Sequence, residues 1–302
     1  MSITKNVLLK KTLKKYAFVL SFLAIPLIST AIFYFYVNIS SILMAFEVPS
    51  GESIFYNFSY IIKEFSYNAS VLRESLINTL YFFGANLLIM FPLSFVFSYF
   101  IFKKIRFYKF FRIAFYLPVI ISGTVYVSLF KKMIAINGPL LTILNELFNL
   151  NWYPEFLGNS DYAIYTIIFY VIWTGLGSNL LLMGGAMARL PEDVLEYGQL
   201  DGVSALQEMV YIVTPMIWPT ISMMLVIMFS ALFTSSGPIL LFTEGDFGTY
   251  TISYYIFDMV YNRGPGQYPM ASAVGLFFTA IGLPIILGIR YVLEKVGSDV
   301  EY

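Results

Sequence analysis

The chain has 302 residues, 59% of them hydrophobic and only 12% charged, with a mean hydropathy of +0.76. A soluble domain carries about 25% charge and 45–50% apolar residues, so this composition is that of a chain dissolved mostly in lipid. Eighteen basic residues against eighteen acidic ones remove the basic field that holds nucleic acid. The absence of Cys and His removes disulfides, thiolate nucleophiles, Cys-ligated metals, the Ser-His-Asp triad and the H-E-x-x-H zinc site.

A membrane helix needs roughly 20 predominantly apolar residues, and six such stretches follow one another along the chain. Residues 1–16 are a basic N-terminal segment with Lys5, Lys10, Lys11, Lys14 and Lys15. The first predicted span is 17–37; its length and the lack of a small-x-small site predict a retained anchor, with a cleaved leader as the competing reading. Residues 38–74, rich in Tyr, Phe, Asn and Ser, read as a folded cap close to the membrane. The second span is 75–102 and the third 113–130, separated by Lys103, Lys104, Arg106, Lys109 and Arg112. In 139–148, Leu140, Leu141, Ile143, Leu144, Leu147 and Phe148 make one apolar face of a helix, which either packs or meets another protein. The fourth span is 162–188.

Residues 189–215 form a loop unlike the others. Pro191 opens a helix, and Glu192 and Asp193 complement its N-terminal dipole. Gly202 ends that helix and Ser204 caps a second, predicted over about 205–211; Pro215 and Pro219 then turn the chain into the next span. The fifth span is 218–242, interrupted at Gly237-Pro238. A segment over 244–270 has a helix-like centre and a Gly-Pro-Gly turn, and the sixth span is 271–289. The spans and loops read as one polytopic domain over 1–302.

Basic residues count thirteen on the side of the N-terminus, the 103–112 loop, the 189–215 loop and the C-terminus, against five on the other. The positive-inside rule therefore predicts both termini to be cytoplasmic.

None of the six stretches carries Asp, Glu or Lys, although proton- or ion-driven transporters need ionisable groups at membrane depth. The spans offer neutral polar groups instead, among them Asn78, Thr79, Asn86, Ser94, Ser98, Thr174, Ser178 and Asn179. Singly, such groups bond across membrane helices; together they line an uncharged path suited to a neutral hydrophilic solute such as a sugar. Trp173 and Asn179 are the expected stacking and polar walls. No G-x-x-x-x-G-K-[ST] occurs, so any ATP-derived energy has to come from a partner.

The 189–215 loop resembles that of binding-protein-dependent ABC transporter permeases, which carry E-A-A, three residues, Gly, nine residues, then I-x-L-P. Here Glu196-Tyr197-Gly198 is followed by Gln199-Leu200-Asp201, Gly202, residues 203–211 and Ile212-Val213-Thr214-Pro215; Tyr197 and Gly198 replace the alanines, and Thr214 the Leu. Leu200-Asp201-Gly202-Val203 resembles the I-D-G-A of the carbohydrate-uptake class, as do Trp173-Thr174-Gly175, Asn137-Gly138-Pro139-Leu140-Leu141, Ser236-Gly237-Pro238 with Thr251, and Tyr268 to Ala273.

The resemblance covers nearly the whole chain. It implies an all-α, six-span permease of the type I ABC importer fold in a bacterial plasma membrane. The implied partners are a homologous second permease, two ATPase subunits that bind ATP and Mg, and an extracellular or periplasmic solute-binding protein, with a sugar as cargo. It also implies coupling to the ATPase through Glu196, Asp201, Gly202 and Pro215, with no catalytic residue, metal or cofactor in the chain itself. A self-sufficient channel and a membrane enzyme acting on lipid chains are the competing classes; the latter would draw on Glu192, Asp193, Glu196 and Asp201.

Overall fold

The computed structural model describes residues 2–235 and 237–297, with side chains from Lys14 onward; Ser236 and the C-terminal residues 298–302 lie outside the described residues. Every regular element among the described residues is helical. Five helical stretches are long and apolar enough to cross a membrane: Lys14–Met44, Val71–Phe102, Gly123–Phe148, Ala163–Met187 and Pro265–Val296. A sixth is the pair Ala205–Met216 and Trp218–Ser230, bent by 77°. The chain is thus an all-α membrane protein, as its apolar runs predict.

Two predicted spans have different bounds. The stretch 113–130 is not one helix. Tyr108–Ile120 ends where Ile121 and Ser122 adopt extended ψ values of 142° and 130°, and Gly123–Ile134 begins a new helix. Pro118, one turn before the break, supplies no N–H to its helix, and Ser122-Gly123 is a weak continuation of any helix. The fifth span ends at Ser230 rather than at 242, because Gly237 at φ +60° and Pro238 interrupt the chain before the short helix Ile239–Phe242.

The chain forms two compact units, one of residues up to Ile61 with Met259–Phe277, the other of Ile62–Asp258 with residues from Phe278 on. In the first unit, the apolar core of the Lys14–Met44 helix has none of its residues buried. Just past it, the Asn57 amide donates to the carbonyls of Ala45 (3.0 Å) and Glu47 (2.9 Å). Phe46, Phe55 and Phe58 close around that turn with ring centroids 5.3–6.4 Å apart. Of the cap expected over 38–74, residues up to Met44 continue the long helix, and the turn that follows is packed by these contacts.

In the second unit the Ala163–Met187 helix is the centre. A Cβ at Gly175 would collide with Met90, and one at Gly177 with the Phe115 carbonyl, so the two glycines let Val71–Phe102 and Tyr108–Ile120 lie directly against it. Val71–Phe102 is regular except for a π-helical turn at Asn86–Met90. Its polar residues are largely committed to structure. Asn78 donates to the carbonyls of Gly248 and Tyr250, both at 2.8 Å, and the Ile252 N–H donates to Thr79 Oγ1 at 3.0 Å. Ser75, Ser94, Thr174, Ser178 and Ser230 each donate to a carbonyl of their own helix. Beyond these bonds the 244–270 segment has the expected helix, Ile252–Tyr261, and the turn Pro265–Gln267 after Gly264 at φ +83°.

Helix Pro139–Phe148 forms as its periodicity predicts. It buries Leu141 and Asn145 and leaves Ile143, Leu147 and Phe148 exposed.

Candidate functional site: the 189–220 elbow

The first elbow helix, Glu192–Leu200, starts from Pro191 in an extended conformation (φ −60°, ψ 128°), with Glu192 and Asp193 in its first turn. Extended ψ at Pro191 separates the new helix from the preceding segment, and two carboxylates in the first turn complement the positive end of the helix dipole. The helix closes in a Schellman motif. The Val203 N–H donates to Gly198 O and the Gly202 N–H to Gln199 O, both at 3.1 Å, with Gly202 at φ +74°. A residue with a Cβ avoids that left-handed conformation. Ser204 then caps the second helix in a reciprocal box: Gln207 N–H donates to Ser204 Oγ, and Ser204 N–H to Gln207 Oε1 at 2.9 Å.

The second helix runs further than 211. Ala205–Gln207 passes through a π-helical turn, Glu208–Val213, into Thr214–Met216 before the bend at Ile217. Pro215 sits inside this continuation, in the first turn of its last piece. Past the bend, Trp218 Nε1 donates to the Leu293 carbonyl at 3.2 Å.

The elbow has an inner and an outer face. Inward, Leu195 joins Tyr99, Met187, Leu190, Met209, Val213, Ile217 and Ile221 in a buried apolar cluster. Gly198 is buried, and a Cβ there would lie 2.7 Å from Ile212 Cδ1, so the two arms of the elbow touch at this residue. Outward, Tyr197 is 69% exposed, Leu200 81%, Leu206 67% and Tyr211 74%. Glu196 is exposed beside them. Several exposed large apolar side chains together with a carboxylate on one short loop have the composition of a protein contact. The Asp201 carboxylate has no bonding partner among the described residues; its backbone N–H closes the first helix onto Tyr197 O at 3.0 Å.

Beneath the second arm lies an ion pair. Lys103 Nζ is 2.8 Å from Glu208 Oε1 and 3.0 Å from Oε2, with the Glu208 side chain 3% exposed. It fastens the end of Val71–Phe102 to the elbow. Glu208 reads in sequence as one more loop acid and Lys103 as one of several topology-setting cations. The 105 residues between them hide the pairing.

The residues expected along a solute path do not come together. Trp173 packs with Tyr126 (5.4 Å between ring centroids) and Phe130 (6.1 Å), in a cluster that also holds Tyr170 and Phe242. Asn179 Nδ2 is buried without a hydrogen-bond partner. A cavity of about 60 Å³ within the spans is lined by Thr79, Phe82, Asn86, Val171 and Ser235, among others, and by neither of those two residues. Asn86 Oδ1 is buried there without a partner. A larger cavity of about 270 Å³ lies among 98–104, 108–116 and 180–188. Among the described residues no three acidic groups converge as metal ligands would, Glu192, Asp193, Glu196 and Asp201 included.

No family model matches the chain. It is 26% identical over 188 residues to the "Multiple sugar-binding transport system permease protein MsmF" of Streptococcus mutans, a match covering 62% of this chain and 64% of MsmF. It is 26% identical over 213 residues to the "Lactose transport system permease protein LacF" of Rhizobium radiobacter, covering 66% and 68%. The chain thus spans about two thirds of the length of these relatives. In fold it matches a chain of a bacterial ABC transporter involved in import of the acidic polysaccharide alginate, with a TM-score of 0.81 at 22% identity, covering 96% of this chain and 99% of that one. A chain of a bacterial alginate ABC transporter in complex with alginate pentasaccharide-bound periplasmic protein gives 0.79 at 22% identity, covering 93% and 96%. By its elbow pattern, its helices and these likenesses, the chain has the fold of an ABC importer permease and is similar in sequence to the permease subunits of sugar ABC transport systems.

Proposed function

We propose that this chain is a permease subunit of an ABC importer for a sugar, oligosaccharide or polysaccharide fragment, paired with a homologous second permease. Two separate ATPase subunits bind ATP and Mg and dock on the elbows. A solute-binding protein delivers cargo from outside, and both termini of this chain are cytoplasmic. The chain is not itself an enzyme.

The observation that carries this reading is the elbow, whose inner face is locked by caps, a glycine contact and a buried ion pair, while its outer face presents Glu196, Tyr197, Leu200 and Leu206 to a partner. A rigid lever of this kind passes an ATPase movement into the Ala163–Met187 and Trp218–Ser230 helices as rigid-body alternating access. Glu196 supplies a charge-assisted contact, Gly202 the turn that aims the first arm, Asp201 a free carboxylate at the tip, and Pro215 the rigid continuation. The solute path runs through the neutral spans, where Asn86 and Asn179 have polar atoms to spare and Trp173 backs the wall.

The test is Glu196→Ala and Gly202→Leu, read by co-purification of the ATPase and by solute uptake in vesicles. Loss of a charged hydrogen bond at a partly buried contact costs about 1.5–3 kcal/mol, roughly ten- to hundred-fold in affinity. Forcing a branched side chain to φ +74° costs roughly 1 kcal/mol or more and mis-aims the arm. Both variants should insert normally and lose uptake. Full uptake with the ATPase retained means the elbow is not the coupling site.

A further inference from the structure

We infer that the cavity of about 270 Å³ between residues 98–104, 108–116 and 180–188 is a binding site for the phosphate headgroup of an anionic phospholipid. Its lining includes two cationic residues, Lys104 and Arg112, and three hydroxyl-bearing ones, Ser98, Tyr108 and Tyr116. Among the described residues neither cation has a carboxylate partner; Arg112 only covers the Tyr116 ring, 5.8 Å from its centroid. No Asp or Glu occurs anywhere between Glu74 and Glu146 to neutralise them. Ser98 is 1% exposed and its Oγ has no hydrogen-bond partner, a buried donor lining the cavity. An unpaired buried hydroxyl costs free energy that an anion oxygen would recover.

Three features select a lipid over another anion. The cavity lies where the apolar Val71–Phe102 span gives way to a five-cation loop, the level at which headgroup phosphates sit. Leu181 forms part of the wall and is 57% exposed, and Phe110 and Ile113 nearby on the Tyr108–Ile120 helix are 67% and 68% exposed, an apolar flank against which acyl chains lie. The volume is below the about 300–1,000 Å³ of sites that enclose a drug-sized ligand, which suits a headgroup with its chains outside.

The experiment is native mass spectrometry of the full chain in detergent micelles, titrated with phosphatidylglycerol, phosphatidylcholine, inorganic phosphate or a short oligouronate. Phosphatidylglycerol should bind well ahead of the other three. Lys104→Gln with Arg112→Gln should weaken it roughly 30-fold, the loss of two direct contacts to the phosphate at about 1 kcal/mol each. Arg106→Gln with Lys109→Gln makes the same charge change outside the cavity lining and should leave binding within about three-fold. Gly184→Leu offers an independent route if the double variant does not fold: Gly184 lines the cavity and a Cβ there meets nothing within 4 Å, so the larger side chain takes up cavity space while both cations are kept. It should abolish the lipid adduct while the chain stays monodisperse.

Equal binding of phosphatidylcholine, or equal loss in the Arg106/Lys109 variant, overturns the site. Inorganic phosphate binding as tightly as phosphatidylglycerol overturns the lipid assignment. Displacement of the lipid by oligouronate at lower concentration assigns the cavity to solute instead. None of these outcomes depends on whether the elbow couples to an ATPase.

Discussion

Replacing Lys103 by Met should destabilise the chain more than any other single loss of a lysine in the 103–112 loop. The Glu208 side chain is 3% exposed, and Lys103 Nζ approaches its carboxylate at 2.8 Å. At an effective dielectric constant of about 20 that separation corresponds to about 6 kcal/mol of attraction, much of it offset by desolvation of both groups. Removing one partner leaves the other charge buried and unpaired, at a net cost of about 3–5 kcal/mol. For a chain of this size that is roughly 6–10 °C in Tm, taking about 2 °C per kcal/mol.

The assay is thermal unfolding of the purified chain in detergent, with Lys109→Met as a control of equal charge change on an exposed residue. Glu208→Gln combined with Lys103→Met replaces the pair by neutral groups of similar shape and should recover most of the loss, because the desolvation cost disappears along with the attraction. A Tm for Lys103→Met no lower than that of Lys109→Met would refute the reasoning. It would mean that water reaches Glu208 and that the elbow is held by its apolar cluster alone.

Two further outcomes are expected. Gly198→Ala places a Cβ 2.7 Å from the movable end of Ile212 and gains up to about 1 kcal/mol of helix propensity, so its Tm should be unchanged or higher; Gly198→Leu overfills the contact between the arms and should lose about 1–3 kcal/mol in the same unfolding assay. Reporter fusions within 104–111 should read cytoplasm and those near Gly264 the outside, since basic residues concentrate on the first side; a reversed pattern discards the proposed orientation and the ATPase docking together.

The elements that local chemistry dictates were readable in the sequence. Apolar runs gave six spans, against five long apolar helices and one bent pair among the described residues. Pro191, Gly202 and Ser204 marked the elbow because caps and left-handed turns depend on residues within one helical turn of one another. What escaped depends on backbone detail or on distant partners. Hydropathy averaged over 113–130 does not register the break at Ile121-Ser122, although Pro118 and Ser122-Gly123 mark it locally. The 77° bend at Ile217, by contrast, falls where Pro215 and Pro219 mark a turn of the chain. Glu208 meets Lys103 only because the folded spans bring residues 105 positions apart together. Trp173 packs against Tyr126 and Phe130, neighbours that no spacing on its own helix could reveal.

The π-helical turn at Asn86–Met90 acts as a phase shifter. Above it the buried stripe of Val71–Phe102 follows ordinary helical spacing through Ser75, Asn78, Thr79 and Phe82. Continued without interruption, that stripe would reach Leu93 and Phe97; instead it falls on Ser94 and Ser98, while Leu93 faces outward at 38% exposure. One extra residue in the turn has rotated the lower half of the helix by about 100°. That rotation carries Ser98 to the wall of the basic cavity and aims Lys103 at Glu208, so the aim of the helix end is set some ten residues earlier by a single surplus peptide. Deleting one residue from 86–90 would keep the span's length and hydropathy almost intact, yet present its lower half to the wrong neighbours.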